Sequence, residues 1–174
     1  MKRETKRWAA IFCIILFVFL IMGCASKPAT ITEYHPDIRS VEEFTYVLET
    51  YRDAVLANRN GEKLRTQIMT FSFVEGNRVF FCTTSDKPLY AQLRAFPYVS
   101  YVAFPPDWEP VVSLNGKVVF TEDVALKTRA LESNYYALRN FRTIDNPLLR
   151  VFYIDVEEIE TYATGGPNIY RTSR

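Results

Sequence analysis

Apolar residues recur at two different spacings along this chain, and each spacing predicts one kind of element. Ser40 and Glu43 have the spacing of a capping box, which marks the first turn of a helix. The apolar positions that follow recur every three or four residues, as on a buried helix face: Phe44, Val47, Leu48, Tyr51 and Val55. The segment from Asn58 to Gly61 supplies a stop, so the pattern predicts one helix from Ser40 to about that point.

Most of the remaining chain has the aromatic and β-branched composition of strands. The predicted strands are residues 65–74, 78–83, 98–104, 110–121, 149–156 and 159–164. The sequence Glu-Gly-Asn at 75–77 predicts a hairpin between the first two. Within 110–121, Asn115-Gly116 fits either a tight hairpin turn or a glycine bulge in one long strand. We favour the bulge, because the arms of such a hairpin would be only about four residues long.

Shorter helices are predicted between the strands. Pro88 opens one that runs to about Phe96, and Asp123 caps a second. A third helical piece begins near Tyr135 and is broken before Pro147. The pattern therefore predicts a mainly β (α+β) fold of about six antiparallel strands with peripheral helices. A small Greek-key barrel is the expected architecture, because closure removes exposed strand edges.

The stretch from residue 79 to 104 carries the chain's most suggestive chemistry. An apolar strand ends in Thr83, Thr84 and Ser85, and Lys87 follows immediately before the helix opened by Pro88. Hydroxyls, backbone N–H groups and an ammonium at a helix start suit a phosphate group. The same residues also fit an ordinary helix cap, so both interpretations stay open at this point.

The N-terminus has the layout of a secretory signal. Basic residues precede an uncharged apolar run over residues 8–22, and a polar segment begins after Cys24. The run is shorter than the roughly 20 residues that span a bilayer. Ile21-Met22-Gly23-Cys24 resembles the bacterial lipobox, in which the cysteine is lipidated. The alternative is an uncleaved N-terminal anchor.

Both alternatives predict a domain exported across a bacterial cytoplasmic membrane and held there by its N-terminus, facing outside the cytoplasm. We expect a signal over residues 1–24, a tether over 25–38, a folded domain over 39–166 and a C-terminal tail over 167–174. Order is expected to end at the Gly-Gly-Pro sequence of residues 165–167.

Composition excludes several classes of function. The chain has 21 Lys and Arg against 20 Asp and Glu, which argues against a nucleic-acid-binding face. It contains three cysteines and one histidine, but Cys13, Cys24 and His35 lie outside the predicted folded domain, which leaves too few ligands there for a typical zinc site. Cys13 and Cys24 lie in the predicted signal, so Cys82 has no partner for a disulfide within the domain. We expect Cys82 to be a small core residue.

Three separate segments resemble the pyridoxamine 5′-phosphate oxidase-like family of FMN-binding split β-barrels. The run over residues 76–97, including Phe81-Cys82-Thr83-Thr84-Ser85 and Lys87, is similar to a motif of its small branch. The runs over 116–123 and 146–153 resemble two later segments of that branch, in the same order. The resemblance spans Ser40 to about Ala163 and implies a split barrel.

The resemblance also implies a homodimer with FMN at the subunit interface. It places Thr83, Thr84 and Lys87 near the FMN phosphate, with Ser85 adjacent. It places the strand bearing Arg65, Gln67 and Ile68 along the flavin ring, and the segment bearing Ser113 and Asn115 on the ring's other side or in the other subunit. Many relatives carry arginines at the positions of Gln67 and Ser113, and each such loss removes a contact of about 1.5–3 kcal/mol.

Two functions of different classes follow. The first is an FMN-dependent oxidoreductase, in which the cofactor performs the redox chemistry and no side chain is predicted as acid or base. The second is a non-enzymatic lipoprotein that binds a small molecule in a degenerate or empty flavin site. Haem binding is a third and weaker hypothesis, because His35, the only histidine available as an axial ligand, lies in the tether rather than in the domain.

Overall fold

A computed structural model of the protein describes residues 40–51, 53–104, 111–162 and 169–172. All of them belong to the second of the two units into which the chain divides, Tyr34–Arg174. The predicted signal, Cys24, the tether with His35 and the loop over residues 105–108 lie outside the described residues. No helix among the described residues has the length and apolar character needed to cross a membrane.

The described residues form seven strands and four helices. The helices are α1 Val41–Tyr51, α2 Pro88–Ala95, α3 Val124–Glu132 and α4 Tyr135–Phe141. The strands are β1 Asp53–Asn60, β2 Lys63–Glu75, β3 Arg78–Thr84, β4 Tyr98–Ala103, β5 Val111–Thr121, β6 Leu149–Tyr162 and β7 Ile169–Thr172. The hairpin predicted at residues 75–77 is confirmed, and Gly76 supplies the positive φ of 54° in its turn.

Six of the strands close into an antiparallel barrel. They run in the order β3-β2-β1-β4-β5-β6, and β6 pairs back with β3. The first half of β6 pairs with β3, and its second half pairs with β7 from residue 158 to 161. The mainly β split barrel with peripheral helices is therefore confirmed. Strand β7 lies within the segment that we expected to be an unordered tail.

The first helix is shorter than the sequence predicted. It ends at Tyr51, and Asp53–Asn60 forms β1 instead of the last helical turns. The hydroxyl of Ser40 accepts the N–H of Glu43 at 3.1 Å, so the predicted cap is present. Ala54 and Leu56 are buried at a spacing of two, and β1 pairs with both β2 and β4. Pairing on both edges overrides the helical spacing of Val55.

Strand β5 corresponds to one predicted segment, whereas β6 spans two segments that were predicted separately. Asn115-Gly116 lies within one continuous β5, so the preference for one long strand is confirmed. The segments 149–156 and 159–164 were predicted as separate strands, but 149–162 forms one strand because β5 pairs along its length. Asn115 pairs with Glu158 and Gly116 with Val156, so the extra residue of the bulge, Glu157, belongs to β6.

Two apolar clusters hold the barrel and its helices together. One fills the barrel and includes Phe71, Phe81, Tyr101 and Phe152, with Leu89 and Leu93 of α2 packed against it. The Tyr101 hydroxyl donates to the backbone oxygen of Met69 at 2.9 Å, which satisfies a buried polar group. The second cluster lies between β2, β3, β6 and the helices α3 and α4: Phe73, Phe80, Ala130, Leu131, Ala137, Phe141, Leu149 and Val151.

A strained turn follows α4. Arg142 has φ 65° and ψ −36°, and the N–H of Thr143 donates to the oxygen of Phe141 at 2.8 Å, as in a γ-turn. Among the described residues other than glycine, only Arg142 has a positive φ. We expect Arg142→Gly to raise the free energy of unfolding by about 1 kcal/mol, because glycine adopts this conformation without a Cβ clash.

Thermal and urea denaturation measure this effect. Arg142→Ala is the matched control, because it removes the same side chain and keeps the Cβ. Equal stability of the glycine and alanine variants would show that the turn is not strained.

Candidate functional site

A groove lies between the barrel and α4 where the predicted phosphate residues end β3. Its volume is about 410 Å³, within the range of small-molecule pockets, about 300–1,000 Å³. We call it the hydroxyl groove. It is lined by Ile68, Met69, Thr70, Cys82, Thr83, Thr84, Lys87, Asn134, Tyr136, Ala137, Asn140, Phe141, Asn146 and Leu148.

The turn from β3 into α2 supplies the polar end of the groove. Lys87 is the N-cap residue of α2 in extended conformation, and Pro88 follows it as predicted. The N–H of Ser85 donates to the Leu148 oxygen at 2.9 Å, and that of Lys87 to the Thr84 oxygen at 3.4 Å. These two amides are engaged within the protein. A phosphate would therefore meet chiefly side chains here: the threonine and serine hydroxyls and the Lys87 ammonium.

Thr84 carries an unsatisfied hydroxyl beside this turn. Its Oγ1 is buried and has no hydrogen-bond partner, a condition shared among the described residues only with Thr161. Burying such a group without a partner costs about 1–3 kcal/mol. Because this oxygen is buried, a ligand at this end of the groove would satisfy the Thr84 hydroxyl only if the side chain turned it towards the groove.

Asparagines fix the opposite wall. The Oδ1 of Asn134 accepts the N–H of Ala137 at 3.0 Å and caps α4, while its Nδ2 donates to the Thr70 oxygen of β2 at 3.2 Å. Asn146 donates to the Phe141 oxygen at 3.3 Å and accepts the Leu148 N–H at 3.0 Å. Sequence reasoning missed this wall. An asparagine directly before the helix at Tyr135 was the available signal.

Cys82 lines the same groove but is not prepared for nucleophilic chemistry. Burial raises the pKa of its thiol from 9.0 to about 11, against a smaller lowering by its contact with Ser72 Oγ at 3.7 Å. With this pKa the thiol is protonated at neutral pH. It is therefore a poor nucleophile, because only the thiolate reacts. Its packing against the second apolar cluster agrees with the expected core role.

We expect iodoacetamide to alkylate Cys82 about 100-fold more slowly in the folded than in the urea-unfolded chain at pH 8, because little thiolate is present. Peptide mass spectrometry separates Cys82 from Cys13 and Cys24. The raised pKa also predicts that this group's contribution to stability is complete below pH 9.0 and is lost as pH rises towards about 11. Equal alkylation rates in the two states would contradict the protonated thiol.

The structure brings together some of the predicted site residues. Ile68, Thr83, Thr84 and Lys87 line the hydroxyl groove, and Ser85 lies in the adjoining turn. The Nε2 of Gln67 donates to Asn58 Oδ1 at 3.3 Å, and Asn58 is 2% exposed. The side-chain amide of Gln67 is thus hydrogen-bonded to β1.

The other predicted residues lie elsewhere in the chain. Arg65 is exposed on β2, opposite Asn58 in register. Ser113 is buried on β5, paired with Val102. Asn115 lines a second groove on the outer face of the barrel, with a volume of about 540 Å³.

No protein-family profile matches the chain, and no curated protein matches it in sequence. Solved structures do resemble it. A NimC/NimA family protein from Clostridium acetobutylicum superposes with a TM-score of 0.67 at 19% identity, over 76% of this chain and 92% of the other.

A second protein from the same organism, related to general stress protein 26 and of the pyridoxinephosphate oxidase family, has a TM-score of 0.64 at 15% identity over 76% and 93% of the two chains. A heme-binding protein from Mycobacterium smegmatis has a TM-score of 0.62 at 18% identity over 73% and 55%. The chain has the split-barrel fold of these proteins. Because their identities are below 25%, this likeness concerns the fold.

The split barrel places the hydroxyl groove on the outside of the closed sheet, between β2, β3 and α4. The described residues contain no group of three or more His, Cys, Asp or Glu that could hold a metal ion. Within that part of the chain, the chemistry of the groove is therefore that of hydroxyls, amides and one ammonium beside an apolar surface.

Proposed function

We propose that the protein binds FMN in the hydroxyl groove and belongs to the pyridoxamine 5′-phosphate oxidase-like group of split barrels. The observation that carries this proposal is the convergence of Thr83, Thr84, Lys87 and Ile68 on one groove, next to an unsatisfied Thr84 hydroxyl. The first three suit a phosphate, and Ile68 suits an aromatic ring system. The fold of the neighbours, one of them in the pyridoxinephosphate oxidase family, supports it.

Each of these residues has a defined task. Lys87 is the charged group of the groove and would neutralise a phosphate through a charged hydrogen bond. Thr83, Thr84 and Ser85 would donate hydroxyl hydrogen bonds to its oxygens. Ile68 is 74% exposed, and a flavin ring against it would remove apolar surface from water.

Redox chemistry would come from the cofactor, since bound FMN supplies hydride and electron transfer. The chain's own residues bind, orient and exclude water. Cys82 stays protonated, so it does not act as the base of a reaction. This set of roles fits an FMN-dependent oxidoreductase whose small-molecule substrate enters beside the flavin.

A non-enzymatic flavin- or ligand-binding lipoprotein is the second candidate. The engagement of Gln67 with Asn58 favours it, because an amide replaces the arginine of many relatives and is directed to β1. Both candidates include the expected homodimer, in which Asn115 would reach a flavin only from the other subunit. Both also include lipidation at Cys24 and export to the outer side of the membrane.

Binding is tested with protein lacking residues 1–24. We expect it to purify with a yellow visible spectrum or to acquire one with micromolar FMN, and to bind riboflavin much more weakly. Sedimentation equilibrium then tests the homodimer, and mass spectrometry of the membrane fraction tests a lipid on Cys24. Absence of saturable FMN binding would rule out the cofactor proposal.

A further inference from the structure

The second groove crosses the outer face of four neighbouring strands. Its floor is made of small residues: Ala57 of β1 pairs with Ser100 of β4, and Ser100 pairs with Asn115 of β5. Asn115 in turn pairs with Glu158 of β6, so one row of residues runs straight across the sheet. The small floor explains why a cavity of about 540 Å³ forms on a barrel surface.

Charges of opposite sign stand at the two ends of this groove, and each is held in place. Arg59 lines the β1 end, where its Nε and Nη2 donate to the Gly61 oxygen at 3.3 and 3.2 Å. Its guanidinium also stacks on Phe96, 5.1 Å from the ring centroid. Glu158 lines the β6 end, where its Oε1 accepts from Asn115 Nδ2 at 3.0 Å. Groups fixed in this way lose little freedom on binding.

The groove also presents apolar surface to solvent, from Tyr98 of β4 between the charges and from Leu64 of β2 beside Arg59. Leu64 is 75% exposed and Tyr98 is 61% exposed, and both line it. An aromatic ring at such a site also attracts a cation, and an apolar ligand body would cover it. The charged groove, as we name this set, therefore combines the cation of Arg59, the carboxylates of Glu157 and Glu158, and an apolar wall.

The geometry points to a binding site for a short zwitterion with an apolar body, of the class of di- and tripeptides. Its anionic end would meet Arg59, its cationic end Glu158, and its side chain Tyr98 and Leu64. Three strand spacings separate β1 from β6 along the row, about 14 Å between backbones. An extended tripeptide spans about 10 Å, and the long side chains of Arg59 and Glu158 would cover the rest of this distance. This inference does not depend on FMN binding.

The test uses the full chain in detergent and the tripeptide Ala-Phe-Ala. Calorimetry is expected to give saturable binding, weakened at least tenfold when the peptide is N-acetylated or C-amidated. Glu158→Gln and Arg59→Gln are each expected to weaken binding of the unmodified peptide at least tenfold. Arg139→Gln and Glu132→Gln, exposed on α4 and α3, are the matched controls and should bind normally.

Several results would overturn the inference. They are the absence of saturable heat, equal binding of the blocked peptides, and unchanged affinity in the Glu158 and Arg59 variants with thermal stability intact. Competition by FMN would assign the charged groove to the flavin site and refute a separate function. Saturable peptide binding in protein that has failed to bind FMN would support the inference and leave the cofactor proposal rejected.

Discussion

Replacement of Gly116 by alanine is expected to lower the free energy of unfolding by about 3 kcal/mol, at the upper end of typical overpacking costs. A Cβ at this position would run into the backbone oxygen of Asp155 and lie 2.9 Å from Cα of Val156. Both atoms belong to the β6 backbone, where the bulge brings it against β5. A backbone cannot turn away as a side chain does, so the strands must separate locally.

Urea denaturation of the variant measures this cost. Gly76→Ala is the control, because nothing lies within 4 Å of its added Cβ and its only penalty is the φ of 54°. We expect that variant to lose about 1 kcal/mol. If the two variants lost equal stability, close strand contact would not be the reason for glycine at 116.

Local signals in the sequence predicted those elements whose ends are set by local chemistry. Asp123 accepts the N–H of Leu126 at 2.9 Å, as a cap before α3 should. Pro88 opens α2 as expected, and Gly76 turns the β2–β3 hairpin. In each case one or two neighbouring residues decide the geometry.

Elements decided by partners distant in sequence were not predictable in the same way. The residues of β1 fit either a helix or a strand locally, and pairing with β2 and β4 decides the outcome. The same reasoning applies to β6, whose continuity depends on β5, and to β7, which gains its structure by pairing with β6. The tail residues carry no signal strong enough to form a strand alone.

The same distinction between local and distant partners applies to the residues of the candidate site. The turn residues Thr83, Thr84 and Lys87 are adjacent in sequence, and they were predicted together. The wall from α4 comes from residues about 50 positions later, which the barrel brings alongside β2. Gln67 was predicted beside the flavin, and its amide bonds to Asn58 because the hairpin of β1 and β2 places the two side chains within reach.

Replacement of Lys87 by alanine is expected to weaken FMN binding about 10- to 100-fold, because a charged hydrogen bond is worth about 1.5–3 kcal/mol. Lys87 is exposed, and its side chain makes no capping hydrogen bond to α2. Its loss should therefore change stability by less than about 0.5 kcal/mol. A decrease in FMN affinity would then report on the ligand rather than on the fold.

The measurement compares FMN with riboflavin in fluorescence titrations at two salt concentrations. Loss of a phosphate contact should weaken FMN alone and reduce the salt dependence of its binding, since screening acts on the ion pair. Lys63→Ala, exposed at the start of β2 and outside the hydroxyl groove, is the matched control and should bind FMN normally. Equal weakening of FMN and riboflavin binding would mean that Lys87 contacts another part of the ligand. Unchanged FMN affinity would show that the phosphate does not bind at this turn.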